Sequence, residues 1–579
     1  MTLLSCLGKY FTSILNTRFK KVSEKLISNI QAGFREGFST MDHVFTIVSI
    51  INLYQKMGIN LYVAFIDYAK AFDTIWRDGL WYKLVKEGIG GKFLNIIKNM
   101  YQKSKSCVLV NGEKSQFFSS FAGVRQGEIL SPLLFAFYIN DLENFLLNKK
   151  INPLKNLSKT SEKIADQMGL QPNFAMKLLA LYYADDTILM SESPSELQKS
   201  LDELFNYCQK WKLKVNEDKT KILCFTKKRK NEPTFLYNNQ KLENVKEFVY
   251  LGVTLTTNGI SQKSVQARVP PTHRAIFSTL SMCRANELPI DLTLDLFHKI
   301  VAPCTLYGAE IYGFKNCSPL EILQNKYLKY ALKLKNSTPT PMILGETGYL
   351  PLEYHIKIKM MGFWVSLISG NRDKLSYKMY FLSLTLYNDG LLEFEWLHFI
   401  KSILDECGLT YVFENQLGYE HKWLKNFLLP KIKITLKDLC FQKWGNDVEV
   451  SNKCFFYRHF NAKPTLQKYL KILPPSDWIP IIKFRTANHR LPIEIYSWQL
   501  TYKERNKRVC TMCNSGDIGD EMHYLLICPM FQEARVKFIA KHFYKKPSVF
   551  KFLQLINTEN RTELINLSKF LKILFSVFK

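Results

Sequence analysis

Apolar residues run unbroken through "LYVAFI" (61–66) and stop at Asp67, the pattern of a strand buried on both faces. Beyond it, Asp73 is placed to cap a helix with Ile75, Leu80 and Leu84 on its apolar side. "SCVLVNGEKSQFFSS" (106–120) reads as a hairpin around Asn111-Gly112, since both residues tolerate the positive φ of a two-residue turn. Ser131-Pro132 has the cap-then-first-turn pattern that opens a helix through "LLFAFYINDL". Residues 144–177 form a polar insertion before a second apolar hairpin, "LLALYYADDTILMS" (178–191). Ser193 and Glu196 then predict a capping box, with Pro194 in the first turn. Leu197, Leu201, Leu204, Phe205, Cys208 and Trp211 mark one face of that helix. The run "KKRK" (227–230) reads as a solvated turn. Residues 261–345 are largely helical in pattern, and 346–480 show mixed helical periodicity without a chemical signature. Strands and hairpins followed by helices predict an α+β core with a mostly helical second half.

Composition narrows the partner. The 579 residues are 47% hydrophobic, which makes a large core and excludes a disordered tail. Lys and Arg exceed Asp and Glu by 79 − 51 = 28, a surplus that points to a polyanionic partner, either nucleic acid or an anionic membrane surface. No apolar run reaches the ~20 residues of a membrane helix, and the N-terminus has no charged leader, so neither membrane association nor secretion is expected. Thirteen mostly scattered cysteines fit a reducing, intracellular compartment, nucleus or cytoplasm.

The chemistry centres on the acids. Asp185 and Asp186 sit side by side at the tip of the second hairpin, where Asn-Gly would make a cheaper turn. Any one of these acids alone reads as an ordinary turn residue. If the two apolar strands are neighbours in one sheet, however, Asp67, Asp185 and Asp186 converge at one edge, and only cations relieve the repulsion. Mg²⁺ suits such a site, because it binds through one or two carboxylates plus substrate phosphates. A pair of ions would stabilise both oxygens of a phosphoryl displacement.

"FIDYAKAFD", "GVRQGEILSPLLF", "YADD", "LKVNEDKTKIL" and "FVYLG" occur in the order of reverse transcriptase palm motifs. "LLSCLGKYFTSILNTRF" and "QAGFREGFST" resemble the segment preceding them in non-LTR (LINE-type) retrotransposons, and "LTLDLFHKIVAPCTLYGAE" is similar to the thumb of that family. The resemblance spans roughly residues 1–330. It implies a right-hand polymerase: partial fingers and an antiparallel palm over 1–260, and a helical thumb over 261–345. A helical connector would follow over 346–480, then a zinc-binding region over 481–579. The family's first finger segments would lie upstream of Met1.

Carried onto this chain, the resemblance assigns Asp67 and Asp185 to Mg²⁺, with Mn²⁺ as a substitute, and Asp186 to support of the acidic cluster. Phe72 takes the position of the sugar gate. Gln126 and Gly127 would lie against the incoming nucleotide and template. Lys219 would serve the leaving pyrophosphate, and Phe248, Tyr250, Leu251 and Gly252 the primer grip. Arg35 is a candidate for a phosphate or template contact, with an exposed loop arginine as its rival. The implied partners are an RNA template, a DNA primer or target DNA, and dNTPs. A non-catalytic nucleic-acid-binding remnant of such an element is the alternative.

Near the C-terminus the spacing Cys510-x2-Cys513-x9-His523-x4-Cys528 offers three thiolates and an imidazole, a tetrahedral Zn²⁺ set with no open position. The bland reading is a chance grouping of reduced cysteines. The segment also resembles the zinc-binding region downstream of these reverse transcriptases, and "KERNKR" before it favours phosphate contacts.

Overall fold

The computed structural model describes all residues except 1–3, 103, 172–173, 227–232, 452, 454, 498–501 and 579, so the "KKRK" turn lies outside the described residues. The chain divides into two compact units. The first comprises Met1–Ser264, Phe363–Ser402 and Gln416–His421, and the second Val265–Gly362, Ile403–Asn415 and Lys422–Lys579.

The first unit is built on a five-stranded sheet of β1 (Leu61–Ile66), β2 (Ala180–Tyr183), β3 (Asp186–Ser191), β4 (Lys221–Phe225) and β5 (Glu243–Asn244). Its order is β5-β4-β1-β3-β2, and every pair is antiparallel except β5 with β4. The all-apolar β1 is central and buried along its whole length. The helix Pro194–Trp211 packs its apolar face over β1 and β3. Ser193 caps it by accepting from Glu196 N at 3.2 Å, whereas Ser193 N donates to Ser191 Oγ, so half of the expected box forms. Leu109–Val110 pairs with Glu113–Lys114 across Asn111 (φ 49°) and Gly112 (φ 89°), the turn expected of that dipeptide. A separate hairpin of β6 (Glu247–Tyr250) and β7 (Val253–Thr256) turns through Leu251 and Gly252, again with both φ positive.

Two local expectations change. Asp73 does not cap the helix carrying Leu80 and Leu84; it lies inside a short turn of helix, Ala71–Thr74, and the longer helix Arg77–Lys86 starts after Trp76. Ile75 between them turns extended (ψ 126°), which breaks the helix before Asp73 can reach it. Ser131 is the first helical residue rather than the cap, and its hydroxyl donates to Arg125 O at 2.7 Å.

The stretch expected as one helical connector, 346–480, is divided between the units. Its segment Phe363–Ser402 belongs to the first, where the helix Leu375–Asn388 packs along the helix Thr40–Met57. Ser376 Oγ donates to Asp42 Oδ1 (2.8 Å), and Phe45 sits among Phe363, Phe394 and Trp396.

The second unit is helical. At its centre Arg485 and Glu346, both essentially inaccessible, pair at 3.0 Å, and Tyr469 donates its hydroxyl to the same carboxylate at 2.6 Å. The pairing and these hydrogen bonds offset the cost of taking both charges out of water, which an incomplete set would leave uncompensated. Among the described residues, no helix is long and apolar enough to cross a membrane.

Candidate active site and a thiol cluster

Sheet register decides where the acids go. Strands β1 and β3 pair down to Ile66↔Thr187, so the next residues, Asp67 and Asp186, lie at the same edge of the sheet. Strands β2 and β3 close at Tyr183↔Asp186, which leaves Ala184 and Asp185 as the hairpin tip. On the other side of β1 the pairing with β4 reaches Phe65↔Lys221, and Lys219 lies beyond it with its Nζ 4.0 Å from Asp67 Oδ2. Asp67 is pinned by its backbone: its N donates to Thr220 Oγ1 (3.2 Å), and its carbonyl accepts from Asn216 N (2.7 Å).

The edge is electrostatically loaded. Loss of hydration, then the charges of Asp185 and Asp67, push the Asp186 carboxyl up to about 6. Loss of hydration and then the charge of Asp67 also raise Asp185. Surplus negative potential of this kind fits divalent cations, whose binding would return both groups to their ionised form. Asp67 and Asp186 border a cleft of about 530 Å³, lined also by Lys219, Phe248 and Tyr250 among others. Phe248 stacks on Phe65 with centroids 4.2 Å apart, which fixes the β6–β7 hairpin beside the acidic edge. Tyr250 is buried, and burial followed by the charge of Asp186 raises its phenol.

Other expected residues surround this edge unevenly. Phe72 is half-buried and stacks on Phe135 (4.9 Å), so it is both a packing residue and partly exposed. Gln126 is exposed and donates to both Asp73 carboxylate oxygens (2.8 and 3.0 Å); Gly127 beside it is exposed with φ 82°.

Arg35 is a correction. Its guanidinium is buried, donating to Glu24 Oε2 (3.0 and 3.1 Å), Ser28 O (2.9 Å) and Gln31 O (3.0 Å), and it lies over the Phe38 ring. An arginine engaged in this way does not reach for a phosphate.

The same segment carries two residues that the sequence gives no reason to single out. Gln31 Oε1 accepts from Gly33 N (2.9 Å) and from Ala184 N (3.1 Å), reaching the hairpin tip from 153 residues away. Ala32 N donates to Tyr182 O (3.1 Å) and Tyr182 N to Ile30 O (2.9 Å), so residues 30–33 lie along β2. Ala184 has φ 59°, a left-handed conformation unfavourable for alanine by ~1–2 kcal/mol. The bond from Gln31 holds it there. Gly33 touches the tip so closely that a Cβ on it would sit 2.3 Å from Ala184 N.

In the second unit, Cys510, Cys513, His523 and Cys528 place one ligand atom each within 4.8 Å of all the others. Cys510 and Cys528 sulfurs are 3.9 Å apart, and Cys513 Sγ is 3.5 Å from His523 Nε2. A bridge between Val509 and Ile518 folds the first pair back, and Asp520 Oδ1 accepts from His523 N (3.0 Å). Asp517 Oδ2 lies 3.5 Å from His523 Nδ1, which forms no hydrogen bond among the described residues, while Nε2 faces the thiols. Ligand types and spacing both fit Zn²⁺.

Residues 1–255 match the family described as "Reverse transcriptase (RNA-dependent DNA polymerase)". That match covers 255 of the 579 residues, so it is a similarity of the N-terminal part of the first unit to that family. Curated relatives of the reverse transcriptase region include the "RNA-directed DNA polymerase from mobile element jockey" of Drosophila melanogaster. It is 25% identical over 341 residues, covering 57% of this chain and 35% of that protein. The "Probable RNA-directed DNA polymerase from transposon BS" of the same organism is 28% identical over 347 residues, with the same coverage. The chain thus spans about a third of the length of these relatives. Both agree with the LINE-type resemblance of the ordered motifs. A solved telomerase from Candida albicans aligns at 12% identity and a TM-score of 0.32, covering 72% of this chain and 58% of that one; at that score the likeness carries no structural inference.

Proposed function

We propose that this chain is an RNA-directed DNA polymerase of a non-LTR retrotransposon, adding deoxynucleotides to a primer 3′ end along an RNA template. The observation that carries the reading is the approach of Asp67, Asp185 and Asp186 at one sheet edge, with Asp67 and Asp186 lining a cleft shared with Phe248 and Tyr250. When bound, two Mg²⁺ ions would neutralise charge on the attacking and leaving oxygens, with Mn²⁺ able to substitute. Asp67 and Asp185 hold that charge in place, and Asp186 adds to the local negative potential. Lys219, beside Asp67, stabilises charge on the departing pyrophosphate or donates a proton to it. Phe248, Tyr250, Leu251 and Gly252 position the primer terminus, and alignment of this kind is worth several kcal/mol. Phe72 crowds a ribose 2′-OH and so favours dNTPs, while Gln126 and Gly127 face the nucleotide and template.

In the same reading residues 1–260 are partial fingers and palm and 261–345 a thumb. The four-ligand set Cys510, Cys513, His523 and Cys528 holds a structural Zn²⁺ that stiffens a nucleic-acid-binding region. The test is primer extension by the purified chain with Mg²⁺, RNA template, DNA primer and dNTPs. Extension is expected, and Asp185→Asn should abolish it. A chain that binds template-primer but adds no nucleotide is a non-catalytic binding protein, and the polymerase reading fails.

A further inference from the structure

The second unit contains a pocket of about 290 Å³ that shares no lining residue with the acidic cleft, its wall formed by Lys333, Lys335, Lys483, Arg490, Asn488 and Phe575 with three neighbours. Among the described residues, no carboxylate side chain lines it. Among the described residues, none of its four cations forms an ion pair. Lys333, Lys335 and Arg490 are exposed, while Lys483 is half-buried.

Four positive charges around one hollow repel one another, so their grouping requires a reason. Helix dipoles supply part of it. Lys483 lies in the last turn of Pro475–Arg485 and Lys333 just beyond Ser318–Ala331, where a cation gains ~0.3–1 kcal/mol. Lys335 and Arg490 lie beyond both helix ends and have no such explanation. An anion resting among all four relieves the repulsion, and the Arg490 fork suits phosphate oxygens.

Two further features set the kind of phosphate. Asn488 is buried and bonds Thr338 Oγ1 through one amide atom (3.2 Å), leaving its other amide atom without a partner. Because a threonine hydroxyl both donates and accepts, either amide atom can take that bond, and the other is left for a ligand. Phe575, half-buried and stacked against His489 (6.2 Å), supplies a flat apolar wall suited to a sugar or base. The volume is at the small end for a ligand site and takes a nucleotide unit rather than a duplex, which would need an open surface.

We propose that this pocket is a second nucleic-acid site, gripping the phosphodiester backbone of a single strand outside the polymerase cleft. Only its ligand class rests on the polymerase reading; the charge cluster stands without it.

The test uses the full chain and a 5′-labelled oligothymidylate, with anisotropy titrations between low and high KCl. Each lost phosphate contact on a single strand lowers the log–log salt slope by ~0.7. Lys335→Ala/Arg490→Ala should therefore reduce the slope by about 1.4, and adding Lys333→Ala and Lys483→Ala by nearly 3. Lys335→Arg/Arg490→Lys should keep the original slope. Circular dichroism and melting should be unchanged for the double variant, whose side chains are exposed. A reduced slope in the double variant of a chain that extends no primer keeps this site and fails only the polymerase reading. An unchanged slope in the quadruple variant overturns the proposal. So does displacement of the strand from the pocket by a nucleoside triphosphate at equal phosphate concentration, which would make it a free-nucleotide site.

Discussion

Gly33→Ala should slow nucleotide addition far more than it weakens template binding. The added Cβ would lie 2.3 Å from Ala184 N and 3.0 Å from Tyr183 C, both backbone atoms. Comfortable contact for such atoms is roughly 3.5 Å, so the hairpin tip must retreat by about 1 Å. No flexible side chain can absorb the clash, because the neighbours are main chain of the hairpin whose tip carries Asp185 and Asp186. Overpacking of this kind costs ~1–3 kcal/mol of stability. A displacement of ~1 Å at a catalytic group is worth about 10²-fold in rate. The retreat also weakens the bond from Ala184 N to Gln31 Oε1, the restraint on its left-handed backbone. Gln31→Ala should act in the same direction by stranding two buried N–H groups, each at ~1–3 kcal/mol. Single-turnover primer extension at saturating dNTP reads the rate, and anisotropy on the same template-primer reads binding. The expected result is a fall of about two orders of magnitude in the first with the second within about twofold. A folded Gly33→Ala protein that extends primers at the unaltered rate refutes the claim that this contact positions the acids.

Three more outcomes follow from the structure. Arg35→Ala should cost about 2–4 kcal/mol in urea denaturation, because it strands Glu24 and two carbonyls, yet leave the salt slope of template binding unchanged; a reduced slope would return Arg35 to a phosphate contact. For Asp186 the folded carboxyl titrates at about 6 against an ordinary 3.8, so between these values the folded state holds the extra proton and stability falls as pH rises. Asp186→Asn should then melt higher than the unaltered chain at pH 7.5 in chelator, with the gap closing below about pH 4; an equal gap at both pH values contradicts the assignment. Properly folded protein should carry about one zinc per chain by elemental analysis and lose it in Cys528→Ser, with a lower melting temperature; metal-free protein that melts normally removes the zinc reading.

Much of this molecule is local. The buried strand 61–66, the Asn111-Gly112 hairpin and the Ser193 cap each depend on neighbours within a few positions, and the structure has all three. The acids were legible in part for a similar reason: Asp67 follows one apolar strand and Asp185-Asp186 interrupts an apolar hairpin, while the pairing that brings them to one edge is a tertiary fact. Where local cues competed, the chain could not be read. Asp73 has good capping chemistry, but an extended Ile75 stands between it and the helix. Arg35 looks like a free loop arginine until Glu24 and the Ser28 and Gln31 carbonyls fold around it. Gln31 and Gly33 carry no local mark at all, since their partner is a backbone 153 residues on. Likewise, residues 363–402 have only generic helical periodicity, and it took packing to assign them to the sheet-bearing unit. Local sequence determined which groups could do chemistry here. Tertiary structure decided which backbone holds them still, because hydrogen-bond partners and close contacts across such separations exist only once the chain has folded.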